Sequence, residues 1–251
     1  MGSRDDMHLG GGTGGTTSSP VAFPIDAKDL GVVNISPTGS FEAGSYQTFT
    51  LTYTAGKFGI DDSGSMRVCF RFASDQTRPQ FEDPAGSNYT SITASNNAVL
   101  NYHYDPKGNV RPWDRTLYIK VVRGFLRKGD TITIVFGDRS GGSPGMRLQT
   151  FCEESFEFHT LIDPIATFCY QPMPDQPVIK IVPGKPERFL AIAPTIRAVG
   201  EPFDIKFKGE DKWGNPSDKC DCQFTLRANH QVSGLPEKVR LTAGQFAGVI
   251  P

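Results

Sequence analysis

The sequence lacks the features that mark several classes of protein. No apolar run reaches the roughly 18 residues that a membrane-spanning helix needs, and the N-terminus lacks a basic stretch followed by an apolar one. The charges nearly cancel, with 26 Lys and Arg against 27 Asp and Glu, so the whole chain has no electrostatic footprint for nucleic acid or an anionic membrane. We therefore expect neither nucleic acid nor a membrane among its partners.

Cysteine is also scarce. The chain has 5 cysteines in 251 residues, an odd number without dense spacing in a chain long enough to bury a core unaided. This usage and the absence of a visible signal peptide favour a soluble, cytoplasmic protein. Cys220 and Cys222 could share a strand face and hold a soft metal, but ordinary buried or exposed cysteines are far commoner.

Helical periodicity is missing as well, because no segment of a dozen residues holds a 3.6-residue apolar period. The 27 Gly and 19 Pro suit short strands joined by turns. In residues 47–54, Phe49, Leu51 and Tyr53 alternate with threonines, which predicts a half-buried strand. The same alternation recurs in residues 66–73 (with Met66, Val68, Phe70 and Phe72 in one row), 100–104, 117–121, 132–136, 156–162 and 178–182.

A proline-rich stretch over residues 172–186 divides the chain, and we place the boundary near Gly184. Five strand-like runs follow it, whereas an immunoglobulin-like sandwich needs seven strands and about 100 residues. The predicted fold is all-β: an antiparallel β-sandwich over residues 30–183, then a partial immunoglobulin-like β-domain over residues 184–251. The glycine-rich residues 1–29 are expected to be a flexible tail or a cloning remnant.

An incomplete second domain would expose an edge that pairs readily with other strands. The expected partner is the continuation of the same polypeptide or a second chain, which includes a homo-oligomer.

One glycine-rich loop is the sharpest candidate site. Residues 137–145 read Gly-Asp-Arg-Ser-Gly-Gly-Ser-Pro-Gly, close to the run around the nucleophile of trypsin-like proteases, but an arginine interrupts that run and no histidine lies in the matching motif. A connection between two strands is the simpler interpretation. Exposed amides and two arginines could still bind an anion, through Arg139, Ser140, Gly141 and Arg147.

No other residues converge on catalytic chemistry. His103 has one nearby acid and so does His159, whereas a catalytic metal needs several ligands together. We therefore expect no catalytic residue, no metal site and no cofactor in this chain. The aromatic residues Tyr102, Tyr104 and Trp113 could stack on a sugar, although packing at the core or an edge is commoner.

Several stretches resemble the bacterial family catalogued as domain of unknown function 3604, over roughly residues 30–251. The glycine-rich run is fairly specific, whereas the Asp-x-x-Gly-Asn-Pro turn also occurs in many immunoglobulin-like and filamin-like repeats. The stretches are residues 137–150, 156–158 and 178–182, with 39–45, 199–203 and 211–216.

Proteins of that family look like large hydrolases in which N-terminal β-domains precede a metal-binding region similar to the polymerase and histidinol phosphatase superfamily. The presumed metal-binding histidines have no matching positions in this sequence. The resemblance therefore implies a non-catalytic, N-terminal segment of a metal-dependent hydrolase, whose divalent metal would be bound elsewhere in the parent protein.

Two functions remain open. The leading hypothesis is an accessory or assembly β-module of a larger, metal-dependent hydrolase. The alternative is an independent β-sandwich module that binds carbohydrate or another ligand. Exposed aromatic residues on one concave face would favour the second, and an apolar patch on the second domain would favour the first.

Overall fold

The computed structural model describes residues 25–219, 221–243 and 245–250. Within these residues the chain forms nineteen β-strands and one short 3₁₀ helix, Ala27–Asp29, so the all-β prediction is confirmed. No helix in this part of the chain is long and apolar enough to cross a membrane.

Fourteen strands build the first region. Most are separated by turns, as the glycine and proline content predicts. In chain order they are β1 (Gly31–Ser36), β2 (Ser40–Glu42), β3 (Tyr46–Gln47), β4 (Phe49–Ala55), β5 (Ser65–Phe70), β6 (Thr90–Ala94), β7 (Val99–Asp105), β8 (Arg115–Arg123), β9 (Thr131–Phe136), β10 (Met146–Arg147), β11 (Glu153–Glu157), β12 (His159–Asp163), β13 (Gln171–Pro172) and β14 (Val178–Val182).

Two antiparallel sheets form the sandwich. The four-stranded sheet has the order β1-β4-β9-β6, and the five-stranded sheet has the order β13-β12-β5-β8-β7. A three-stranded sheet, β11-β14-β2, adds the only parallel pair of strands among the described residues, between β14 and β2. The antiparallel sandwich predicted from the alternation is therefore present.

Alternation along β4 explains how the core forms. Phe49, Leu51 and Tyr53 are fully buried while the threonines between them are half-exposed, because successive side chains of a strand point to opposite faces. Tyr53 keeps its polar end satisfied by donating a hydrogen bond from its hydroxyl to the Leu30 carbonyl at 2.7 Å.

Phenylalanine rings join the two sheets. Phe70 of β5 lies 5.8 Å from Phe136 of β9 and 5.5 Å from Phe158, measured between ring centroids. Phe158 also meets Phe49 of β4 at 5.5 Å. These tilted and edge-on pairs are the favoured geometry for aromatic rings, and they tie both sheets into one contiguous core.

The apolar row predicted for residues 66–73 is wrong at its end. Strand β5 stops at Phe70, and Phe72 is 45% exposed. The Phe72 backbone N–H donates to the Pro112 carbonyl, and the Arg111 guanidinium lies 4.8 Å from its ring. The chain turns before Phe72 can point inward.

The last residues of the predicted flexible tail, residues 1–29, are folded. Ala27–Asp29 forms the 3₁₀ helix, and the Lys57 N–H donates to the Asp29 carbonyl at 3.0 Å. This bond ties the segment to the loop after β4. Residues 1–24 lie outside the described residues.

The second region has five strands in two antiparallel sheets, β15-β16-β19 and β17-β18. The five strands match the five strand-like runs in the sequence, and the assignment to a partial immunoglobulin-like domain stays a prediction. The strands are β15 (Arg188–Ile192), β16 (Phe203–Glu210), β17 (Cys222–Thr225), β18 (Lys238–Leu241) and β19 (Gln245–Ile250).

We expect Phe70→Ala to lower the free energy of unfolding by about 3–5 kcal/mol, because it removes a fully buried ring and leaves a cavity. Phe72→Ala is the matched control, and it should change stability by less than about 0.5 kcal/mol. Urea denaturation measures both. Equal effects of the two changes would show that the faces of β5 are assigned incorrectly.

Candidate functional site

The predicted anion loop uses its donors within the chain. In residues 137–145, the Arg139 guanidinium donates to the Tyr46 carbonyl at 3.0 Å. The Ser140 backbone N–H donates to the Asp138 carboxylate at 2.9 Å. Part of the Arg139 guanidinium and the Ser140 amide N–H are therefore already engaged within the chain.

The other two members of the predicted anion site are engaged as well. Gly141 packs so close to Pro84 that an added Cβ would lie 2.3 Å from the proline Cβ. The Arg147 guanidinium forms a 3.6 Å ion pair with Asp75 and donates to the Leu148 carbonyl at 3.3 Å. Anion binding by this loop stays a prediction that these contacts do not favour.

His103 and His159 make separate sets of contacts. The Nδ1 atom of His159 lies 2.6 Å from the Glu157 carboxylate, and its ring stacks on Trp113 with 4.7 Å between centroids. His103 packs against Tyr118 instead, at 5.2 Å. Among the described residues, no group of three or more His, Cys, Asp or Glu is placed to hold a metal ion.

The pair of cysteines considered for a soft metal does not offer two thiols. Cys222 is disulfide-bonded, so its sulfur is not available as a thiolate ligand, and Cys220 lies outside the described residues. Cys69, Cys152 and Cys169 are free. Because disulfides are typical of oxidising compartments, the disulfide counts against the cysteine argument for a cytoplasmic location, which stays a prediction.

The aromatic residues considered for sugar binding divide between two places. Tyr102 packs on Phe81, 4.9 Å between centroids, and both line an open groove of about 550 Å³ with Tyr104 and Arg78. Burial raises the pKa of the Tyr104 hydroxyl. Trp113 lies away from this groove, so the three aromatic residues do not form one binding platform.

The inner face of the second region is much less buried than the core of the first region. Phe203, Ile205 and Phe207 alternate along β16 as predicted, and the pairing of β15 with β16 puts Phe189 on the same face. Phe189 meets Phe224 of the other sheet at 4.6 Å. Yet the first three side chains are only half-buried, and Phe189 is 42% exposed.

The two regions differ in how far their apolar side chains are shielded from water. The contiguous core runs from Leu30 to Ile181 and includes none of the described side chains of the second region. Within the described part of that region, Val239 and Leu241 are the two fully buried apolar side chains. The described side chains therefore leave the inner face incompletely covered, and we call Phe189, Phe203 and Ile205 the open face.

Apolar exposure continues beside the open face. Ile192 at the end of β15 is 49% exposed, and Ile196 in the following loop is 85% exposed. Val199 of the same loop is completely exposed, and two cavities of about 550 and 660 Å³ flank this loop. Exposed apolar side chains of this kind, where they join into one patch, are typical of protein interaction sites.

A polar turn attaches the second region to the first. The carboxylate of Asp211, which is buried, accepts hydrogen bonds from the backbone N–H groups of Gly184, Trp213 and Asn215, at 2.9 to 3.0 Å, and from the Asn215 amide. Burial opposes ionisation of Asp211, but these donors outweigh it and hold the pKa of the carboxyl below its ordinary value of 3.8.

The same turn also bonds directly to the sandwich. Asn215 donates from its amide to the Thr150 carbonyl at 2.9 Å and accepts from the Cys152 N–H at 3.2 Å. The Trp213 indole N–H donates to the Ala43 carbonyl at 3.1 Å. These contacts hold the start of the second region against the sandwich.

Glycine is required beneath the tryptophan. A Cβ at Gly44 would lie 2.5 Å from the Trp213 indole nitrogen, and the backbone φ of Gly44 is +68°. Sequence reasoning identified residues 211–216 only as a turn. Its role in the junction depends on partners more than 60 residues away, which no local pattern indicates.

Comparisons with protein-family models and with curated proteins find no match. Among solved structures, the sixth cohesin of scaffoldin B from Acetivibrio cellulolyticus, solved with a mutant dockerin, is 12% identical, with a TM-score of 0.30 over 59% of this chain and 96% of that one. The seventh ScaB type I cohesin from Pseudobacteroides cellulosolvens is 8% identical, with a TM-score of 0.30 over 62% of this chain and 94% of that one. At these TM-scores the likeness supports no statement about function.

We expect the junction to open in acid. Because the pKa of Asp211 is lowered in the folded chain, the stability that its carboxylate contributes is present above about pH 4 and is lost as the pH falls through the folded pKa. In a Trp113→Phe chain, Trp213 emission should stay constant down to about pH 4 and shift to the red below it. Asp211→Asn should produce the red shift at neutral pH, whereas the exposed control Asp218→Asn should not. Identical spectra for all three chains would contradict this role.

Proposed function

We propose that this chain is a non-catalytic β-sandwich module that assembles with a larger protein through the open face of its second region. The observation that carries the proposal is the partial exposure of Phe189 and Phe203, on strands whose alternation is that of a buried sheet face. In the first region the same pattern gives complete burial, as at Phe49.

Covering the open face would be favourable. Each Å² of apolar surface removed from water contributes roughly 25 cal/mol, and aromatic side chains are enriched at the centres of protein interfaces. The rings are already held in place by the two sheets, so little side-chain entropy is lost on binding. The open face is therefore suited to a stable, preformed interface.

The resemblance to the domain of unknown function 3604 family supports a particular partner. On that basis, the surface that covers the open face belongs to the same polypeptide, and the parent protein is a hydrolase that binds a divalent metal outside these residues. Under this proposal the sandwich acts as an accessory domain, and the polar junction presents the open face to the rest of the protein.

Ligand binding by the sandwich itself is the second candidate. The groove lined by Phe81, Tyr102, Tyr104, His103 and Arg78 offers aromatic faces and polar groups together, the combination that sugars bind. Soluble oligosaccharides that shift the ring resonances of Tyr102 and Tyr104 at millimolar concentration would favour this function.

The isolated chain should expose its open face and associate through it. We expect the chain to enhance the fluorescence of a hydrophobic dye and to show concentration-dependent sedimentation. Phe189→Ser should reduce both. Loss of one phenylalanine from an interface costs about 1.5–3 kcal/mol, so the dissociation constant of self-association should rise about tenfold or more.

Phe125→Ser is the matched control, because Phe125 is 50% exposed but lies on the first region. It should leave dye binding and sedimentation unchanged. A chain that stays monomeric and binds no dye would overturn the proposal. A closed, saturable dimer would identify a second copy of this chain as the partner, in place of the parent polypeptide.

A further inference from the structure

The outer face of the five-stranded sheet carries a group of polar and aromatic residues that neither the core nor the open face uses. Antiparallel pairing of β5 with β8 puts Arg67 opposite Tyr118, and Ser65 opposite Lys120. Tyr170, immediately before β13, completes the group through a 2.6 Å hydrogen bond between its hydroxyl and that of Ser65. We call these five residues the Arg67 cluster.

The arginine at its centre is held between two rings. The guanidinium carbon of Arg67 lies 3.7 Å from the centroid of the Tyr170 ring and 5.6 Å from that of Tyr118. Such cation–π contacts stabilise the charge and fix the plane of the guanidinium group. Its one hydrogen bond in the structure is a long one, 3.4 Å from Nη1 to the Asn109 amide oxygen.

Arg67 has no countercharge among the described residues. Its Nε atom is buried and has no hydrogen-bond partner in this part of the chain, where no carboxylate lies within ion-pair distance of it or of Lys120. By contrast, Arg71 pairs with Glu153 at 3.2 Å. A half-buried cation without a carboxylate counterion is costly, even where aromatic rings flank it.

An acid on the neighbouring strand is committed elsewhere. Asp163 lies opposite Ser65 in the pairing of β12 with β5. Its carboxylate is buried and accepts hydrogen bonds from the backbone N–H groups of Thr167 and Phe168. The cluster therefore presents two positive charges, and the carboxylate of Asp163 on the neighbouring strand is already hydrogen-bonded within its own turn.

The tyrosine hydroxyl groups of the cluster add hydrogen-bond donors to its two positive charges. Burial raises the pKa of Tyr170 to about 12, so this hydroxyl stays protonated at neutral pH. Burial also opposes ionisation of Tyr118. Hydrogen bonds with Tyr170 and Ser65 favour its ionised form, as do the charges of Lys120 and Arg67. Together these interactions outweigh burial and lower the pKa of Tyr118. A group that accepts hydrogen bonds and carries negative charge complements this arrangement.

We propose that the Arg67 cluster binds a carboxylate group, with the Arg67 guanidinium as a bidentate donor and the Lys120 ammonium as a second charge. A planar guanidinium matches the two oxygens of a carboxylate, and stacking on tyrosine sets its orientation before the ligand arrives. The carboxylate belongs either to a small free acid or to an acidic side chain of a protein. This site is independent of the open face.

The test follows the whole chain by nuclear magnetic resonance at constant ionic strength, with sodium acetate and a blocked pentaglutamate peptide as probes. The Arg67 Nε–H signal is identified as the one absent from the Arg67→Lys chain. Both probes should shift this signal and the Tyr118 and Tyr170 ring signals with saturation. Sodium chloride and a pentaglutamine peptide should not.

Arg67→Met should weaken binding of both probes by about tenfold or more, because bidentate donation is lost. Lys120→Gln should weaken it severalfold, and this second, half-buried change tests the site without altering Arg67, in case the Arg67→Met chain misfolds. The control Arg123→Met, at the far end of β8, should bind as the unmodified chain does. Tighter binding of the peptide would indicate a protein carboxylate, and equal binding a small acid. Shifts that do not saturate, or that survive Arg67→Met, would overturn the proposal.

Discussion

Packing of phenylalanine rings between the two main sheets is the interaction on which the rest of the chain depends. Phe49, Phe70 and Phe136 come from three strands, and Phe158 touches all three rings. The rings are almost completely shielded from water, and this burial supplies the largest favourable contribution to folding. The core that they form ends at Ile181, so the second region must be stabilised in another way.

Polar contacts supply part of that stabilisation. Asp211 and Asn215 form a turn whose hydrogen bonds reach Gly184, Thr150 and Cys152. Such bonds contribute modestly to net stability but are costly to leave unmade. They position the first strands of the second region without burying its phenylalanines. The junction therefore explains how an apolar face can be attached firmly to the sandwich and still remain open.

Sequence periodicity predicted the strands that bury one apolar row, such as β4, β8 and β9. It missed β1 (Gly31–Ser36) and β6 (Thr90–Ala94), since polar residues dilute the apolar row in each of them. Both are edge strands of the four-stranded sheet, and an edge strand requires less apolar surface than a central one.

Sites proved harder to predict than strands, because their partners are distant in sequence. Arg139 and Arg147 looked available for an anion until folding brought the Tyr46 carbonyl and Asp75 to them. The Arg67 cluster gave no signal at all, since Ser65 and Tyr170 are 105 residues apart. The open face was partly predictable, because five strands are too few to cover a sandwich.

The central claim is that the two regions differ in stability because only the first has a covered core. Native-state hydrogen exchange on the whole chain tests this claim most directly. We predict that amides in β4, β5 and β9 exchange only through global unfolding, whereas those in β15 and β16 exchange through local opening at a clearly lower free energy. If β15 and β16 were protected as strongly as β4 and β5, the second region would be complete as it stands, and the claim would be contradicted.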